Sequence, residues 1–262
     1  LTAAILLLLI VIMTIIGPHL SNYDMEVVDL KNRNLWPSST YWFGTDQLGR
    51  DIFSRLLYGG RTSVLTGLSV AIVSAAVGVT LGCISGYFGG IIDNLIMRFT
   101  DIMMSFPFLI IAIAIMAALG SSQKNIVIAL AIVSWPRFAR LTRGQVLSIK
   151  TQEYVESANT AGYSDMRIMF NHILPNCMGP IIVQLTLAVG SAILSAASLN
   201  FLGLGVDASL PDWGVMLNQG RNYLQTASYL TTIPGIAISL TVLAVNWIGD
   251  GLRDAFDPRL RV

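Results

Sequence analysis

Few side chains in this sequence could do chemistry, and their spacing argues against catalysis. An embedded hydrolase needs a nucleophile and a base together, whereas the two histidines, His19 and His172, each stand alone at the edge of an apolar run. Cys83 and Cys177 also fall at the ends of apolar runs and read as small buried side chains, with no disulfide or metal framework implied. No glycine-rich loop ending in Gly-Lys-Ser or Gly-Lys-Thr offers a phosphate cradle. Nor do the apolar runs bury an ionisable group of the kind that couples carriers to protons or sodium, or repeat a channel filter. The chain is expected to be no enzyme, to bind no metal or cofactor itself, and to take from a partner any energy it uses.

The longest polar passage of the second half, Gln152 to Asn176, is the natural candidate for the surface that partner touches. It divides into two short predicted helices. Thr151 is placed to cap the first, with Glu153 and Glu156 near its positive end and Gly162 to stop it. Ser164 is placed to cap the second, which Asp165 opens and Pro175 closes. The turn between them needs a residue as small as Gly162. Apolar runs flank this helix-turn-helix on both sides, so it reads as a rigid platform held at a membrane surface.

The elements that hold the platform follow from composition. Of 262 residues 54% are apolar and only 12% charged, against roughly a quarter charged in soluble domains, so this is an integral membrane protein. The net charge of +1, with basic residues dispersed among acidic ones, carries no signature of nucleic-acid binding, and lipid is the expected surrounding. A central Asp, Lys or Arg costs an inserted helix about 2.5 to 3.5 kcal/mol, so charge-free windows locate the spans. There are six: 1–23, 62–92, 102–123, 125–136, 168–219 with Asp207 and Asp212 as interruptions, and 222–249. The fold class is therefore all-α, with six transmembrane helices. The fourth window makes a span only by running on through Arg137 and Arg140, whose charged heads can snorkel outward.

Arg137, Arg140, Arg143, Lys150 and Arg167 place the platform in the cytoplasm under the positive-inside rule. With six spans both termini then lie inside, in agreement with Arg253, Arg259 and Arg261, whereas the five basic residues of 18–61 run against their outside assignment. The chain starts at Leu1 within an apolar run, which reads as a first span preceded by a missing cytoplasmic stub rather than as a signal peptide. The expected division is a first span at 1–17, an extracytoplasmic loop at 18–61, a five-helix core at 62–250 that contains the platform, and a cytoplasmic tail at 251–262.

Within that division several elements carry specific expectations. Gly17-Pro18 ends the first helix, and Ile52, Phe53, Leu56 and Leu57 form the apolar face of a short interfacial helix that also bears Arg50, Asp51 and Arg55. Gly78, Gly82, Gly86 and Gly90, spaced by four, form a smooth stripe for close helix packing. A polar turn around Asp93, Arg98 and Asp101 leads to a span kinked at Phe106-Pro107. Gln184, Ser191, Ser195, Ser198 and Asn200 make the fifth span the expected wall of a translocation path, with Phe106 and Asn246 at the ends of neighbouring spans. That wall is expected to carry no charge, leaving selectivity largely to another protein.

Glu156-Ser157-Ala158, then Gly162, then Ile173-Leu174-Pro175 resemble the EAA loop of the membrane subunits of ATP-binding-cassette importers. That pattern is Glu-Ala-Ala, three residues, Gly, nine residues and Ile-x-Leu-Pro; here Ser157 replaces an alanine and His172 the isoleucine. Phe43 to Asp51 (FGTDQLGRD) and Gly249 to Asp254 (GDGLRD), followed by Asp257-Pro258-Arg259-Leu260, are similar to the second or "C" subunit of dipeptide, oligopeptide and nickel permeases. The resemblance covers nearly the whole chain and implies a type I importer fold in a bacterial or archaeal plasma membrane. It further implies a second homologous permease subunit, two ATPase subunits that bind ATP and Mg, and an extracytoplasmic binding protein. On this reading 152–161 is a coupling helix, with Glu153, Tyr154, Glu156, Ser157, Ala158, Gly162, Asp165, Arg167 and Pro175 as the docking residues and Ala158 and Gly162 allowing close approach. Peptides are the expected substrate, with nickel or a metal chelate as the alternative within the family and a secondary carrier or channel as the alternative outside it.

Overall fold

The computed structural model describes residues 2–20, 25, 27–205 and 209–256. Among them the secondary structure is helical throughout, apart from one isolated bridge between Thr45 and Asp51. Helix α1 (Thr2–Leu20) runs past the predicted stop at Gly17-Pro18. Gly17 lies so close to Leu57 that a Cβ there would come within 2.7 Å of its side chain.

Helix α2 (Ile52–Phe88) has 37 residues and so spans about 55 Å at 1.5 Å per residue, well beyond a hydrocarbon core of about 30 Å. Asp51 caps it by accepting from the Ser54 amide at 2.8 Å. The separate interfacial helix expected around 52–57 does not exist, because those residues are the first turns of α2. Ile52, Leu57 and Arg55 are 5% exposed or less. Gly59 and Gly60 do not break the helix, since both are pressed against the chain at Asp212 and Trp213.

Gly78, Gly82 and Gly86 each lie hard against a neighbouring helix. A Cβ at each would collide with α5 (Gln123–Ile149), at Trp135 and Phe138, at Ala139 and Thr142, and at Val146 and Arg143 respectively. Gly90 does not belong to the stripe. With Gly89 it takes positive φ (67° and 56°), has open space around it, and turns the chain into α3 (Gly90–Ser105).

That helix replaces the polar turn expected at Asp93, Arg98 and Asp101. Its polar residues hold neighbouring helices while the opposite face is apolar. The chain then breaks at Phe106-Pro107 by 92° before α4 (Phe108–Leu119), a far sharper bend than a kink. Pro107 has no N–H and forces Phe106 into an extended conformation (φ −97°, ψ 147°), so no helix passes through.

After α5 come α6 (Glu153–Thr160), α7 (Asp165–Ile168), a π turn at Met169–Ile173, and α8 (Leu174–Phe201). Pro175 does not close the second platform helix as expected, since 165–201 is one continuous helix. The π turn absorbs the proline by widening the ladder, with the Leu174 amide bonding Met169 five residues back. Helices α9 (Trp213–Gly220) and α10 (Tyr229–Phe256) complete the described fold.

By length and apolarity α2, the 165–201 helix and α10 are each able to cross a membrane, and the bent pair α3–α4 is a fourth candidate. The apolar stretch of α1 is shorter (Ala4–Gly17), and α5 falls outside the same test. The six-span count therefore exceeds what helix length and composition show. Asp207 and residues 257–262, Arg259 and Arg261 among them, lie outside the described residues.

Candidate docking surface and translocation cleft

The platform is two-faced. Val155 and Ala158 of α6 are buried in a cluster with Cys83, Val146, Ile168, Met169, Ile173 and Cys177, so one side of the helix is welded to α2, α5 and α8. Glu153, Tyr154, Glu156 and Ser157 face outward, as do Gly162, Asp165 and Arg167 on the turn and α7. Ala158 is thus corrected from a docking residue to an internal anchor, because the helix period sets it beside Val155. Gly162 takes φ +79° with nothing near its missing Cβ, and its amide closes the turn onto Asn159 at 2.9 Å. Neither expected hydroxyl cap forms. Gln152 occupies the first cap position, the Thr151 hydroxyl donates back to Ser148, and Ser164 stands at the second cap without a side-chain bond.

Several contacts stiffen the platform. The Arg167 guanidinium lies 4.2 Å from the centre of the Tyr163 ring, whose other neighbour is the His172 ring at 5.9 Å. The Tyr87 hydroxyl, at the end of α2, donates to Asp165 at 2.7 Å. Arg143 of α5 makes a two-pronged ion pair with Asp93 of α3 at 2.5 and 2.6 Å, and Ser85 of α2 donates to the same carboxylate. Lys150 completes the clasp by donating to the carbonyls of Gly86 and Tyr87, both at 3.2 Å.

A cleft of about 350 Å³ opens between α2, α4, α5 and α8. Gln184, Ser191 and Ser195 of α8 line it, joined by Ser74, Ser134 and Phe108. Four residues expected on the path do not line this cleft. Asn200 is 3% exposed and donates to Asp212 at 2.7 Å. Asn246 packs against Gly190 between α10 and α8, with its Oδ1 2.8 Å from where a Cβ would stand. Ser198 donates to Leu194 of its own helix, and Phe106 sits exposed in the α3–α4 break. The expectation of an uncharged wall also fails, because Arg137 lines the cleft instead of only snorkelling away from it.

At the opposite end of α2 lies a polar core that the sequence reading missed. Asp212 caps α9 through the amides of Gly214 and Val215, and also accepts from Ser63 at 2.6 Å and from Asn200. One carboxylate thereby joins α2, α8 and α9. Burial pushes its carboxyl above the usual range, against the pull of those hydrogen bonds. Asp46, Arg50 and Arg55 form a second buried knot, with Arg50 to Asp46 at 2.7 Å and Arg50 to Gln219 at 3.3 Å. The signal available in the sequence was the run Phe43 to Asp51, too polar for a span and too tightly punctuated by glycine for a free loop.

Long apolar helices around a cleft lined in part by polar side chains, with a two-helix platform set between two of them, define an all-helical membrane permease. The chain belongs to the family of binding-protein-dependent transport system inner membrane components, whose profile matches residues 78–262. It is 47% identical over 251 residues to the dipeptide transport system permease protein DppC of Alkalihalophilus pseudofirmus, covering 96% of this chain and 83% of that protein. It is 46% identical over 261 residues to the glutathione transport system permease protein GsiD of Escherichia coli, covering 99% and 86% respectively. Among solved structures, the inward-facing MetNI methionine ABC transporter shares the fold with a TM-score of 0.64 and 16% identity, over 77% of this chain and 95% of that one. The resemblance to ABC importer permeases and the expected all-α importer fold are therefore borne out, and the chain is a multi-pass membrane subunit.

Proposed function

We propose that this chain forms half of the translocation path of an ATP-driven importer for short peptides. A second homologous permease supplies the other half, two ATPase subunits dock on the platform side, and a binding protein delivers the peptide on the opposite side. Both termini then lie on the ATPase side, with six spans and a short tail at 251–262. The observation that carries this reading is the two-faced platform: Val155 and Ala158 fix its back in the helix bundle, while Glu153, Tyr154, Glu156, Ser157, Asp165 and Arg167 are left facing outward. A docking lever needs that construction, since a contact transmits motion only if its other side is rigid.

The names of the compared relatives, a dipeptide and a glutathione permease, favour a peptide over nickel, the alternative substrate within the family. The test is uptake in cells with and without the gene, using a labelled dipeptide, a labelled longer peptide and radioactive nickel. Loss of peptide uptake alone is the expected result and sets the length class. Loss of nickel uptake alone transfers the subunit to metal transport.

A further inference from the structure

Three arginines follow one another at intervals of three on α5, and two of them are spoken for. Arg143 is paired with Asp93, and Arg140 with Asp101 at 2.6 Å. Arg137, near the middle of the helix and beside Pro136, has neither a carboxylate within ion-pair distance nor a hydrogen bond among the described residues. It is also the one of the three that lines the cleft. Arg137 is exposed, on the cleft side of α5; a permanently charged guanidinium is costly against apolar surroundings, and such groups persist where they face an aqueous path and a counter-charge that passes through it.

The polar wall opposite has a definite hydrogen-bonding sense. The Ser191 and Ser195 hydroxyls donate to the carbonyls of Leu187 and Ser191 on their own helix, at 3.2 and 2.7 Å. Their protons are thereby committed, and what they offer to the cleft is acceptor lone pairs. Gln184, Ser191 and Ser195 fall along one face of α8 over about 16 Å, at 1.5 Å rise per residue. One side of the cleft thus offers a fixed cation with a forked donor, and the other side offers acceptors.

We infer that Arg137 is a specificity-determining residue that receives the C-terminal carboxylate of a transiting zwitterionic peptide, while Ser191 and Ser195 accept from its ammonium end. This rests on the peptide-importer reading above. A single forked ion pair attracts the carboxylate without trapping it, as a conducting site requires. It also adds a share of selectivity to the path, beyond what an uncharged wall would leave largely to the binding protein: the path itself discriminates against a peptide whose C-terminal charge has been removed.

The experiment uses the complete transporter in proteoliposomes, with a dipeptide and its C-terminal amide each supplied already bound to the binding protein. Uptake and ATP hydrolysis are measured for the wild type, Arg137→Gln and Arg137→Lys. Arg137→Gln is expected to lower uptake of the free acid about ten-fold, the loss of one charge-assisted hydrogen bond, and to erase the acid-over-amide preference. ATP hydrolysis should stay near wild type, and Arg137→Lys should restore part of the preference. Unchanged uptake in Arg137→Gln overturns the inference, as does an equal fall of both peptides together with ATP hydrolysis, which would mark Arg137 as an interface residue pairing with a partner subunit. If the wild type itself moves neither peptide, the peptide-importer reading fails instead.

Discussion

Asp212 shows how much one buried side chain organises here. It is 2% exposed, and its oxygens serve the Ser63 hydroxyl, the Asn200 amide and two backbone amides of α9. Replacing it with alanine leaves those donors without their acceptor in a dry site, a loss of about 3 kcal/mol or more if each orphaned donor costs about 1 to 3. Asp212→Ala is therefore expected to lower the melting temperature of the detergent-purified subunit markedly, and Asp212→Asn, which keeps one acceptor oxygen, to lower it less.

At the scale of elements, four glycines at equal spacing turn out to do two different jobs. Gly82 lies against α5 so closely that a Cβ would meet Thr142 at 2.9 Å, whereas Gly90 lies in open space beyond the end of α2. Gly82→Leu forces the two helices apart, since even its Cβ would stand 2.4 Å from the Ala139 carbonyl oxygen, and costs more than the about 1 to 3 kcal/mol typical of overpacking. Gly90→Leu meets no neighbour and costs only the backbone strain of a left-handed residue, about 1 to 2 kcal/mol. Thermal unfolding of the two variants should rank Gly82→Leu well below Gly90→Leu.

The platform follows a similar division. Its glycine turn behaves as the spacing suggested, but Pro175 terminates nothing. The π turn at 169–173 lets the chain run from the platform into α8 as one continuous helix, the connection through which the proposed coupling would reach the residues that line the cleft.

For the whole molecule, the proposed coupling makes a prediction separable from stability. Glu156 is exposed, and the left-handed turn at Gly162 has open space, where aspartate is among the better-tolerated substitutes for glycine. Glu156→Lys and Gly162→Asp should leave the subunit in the membrane at near-normal abundance while abolishing uptake and co-purification of the ATPase subunits. Normal transport by either variant removes the docking role.

What the sequence by itself determined is whatever depends on composition and on local order along one helix. The scarcity of charge made the chain a membrane protein, and the order Glu156-Ser157-Ala158, Gly162, Leu174-Pro175 marked the platform and its family. Gly78, Gly82 and Gly86 announced a close helix contact, because residues four apart must share a face. Only the tertiary structure decided which partners those faces meet. Arg50, Asp51 and Arg55 read as an interfacial charge pattern and proved to be buried, because the charges that balance them include Asp46 and their neighbours include Gln219, 169 residues away from Arg50. Asn200 read as pore lining and proved to hold Asp212, and Arg137 read as a snorkelling head and proved to line the cleft. The cost of burying a polar group is set by what stands opposite it, and that is a property of packing between distant segments rather than of spacing within one.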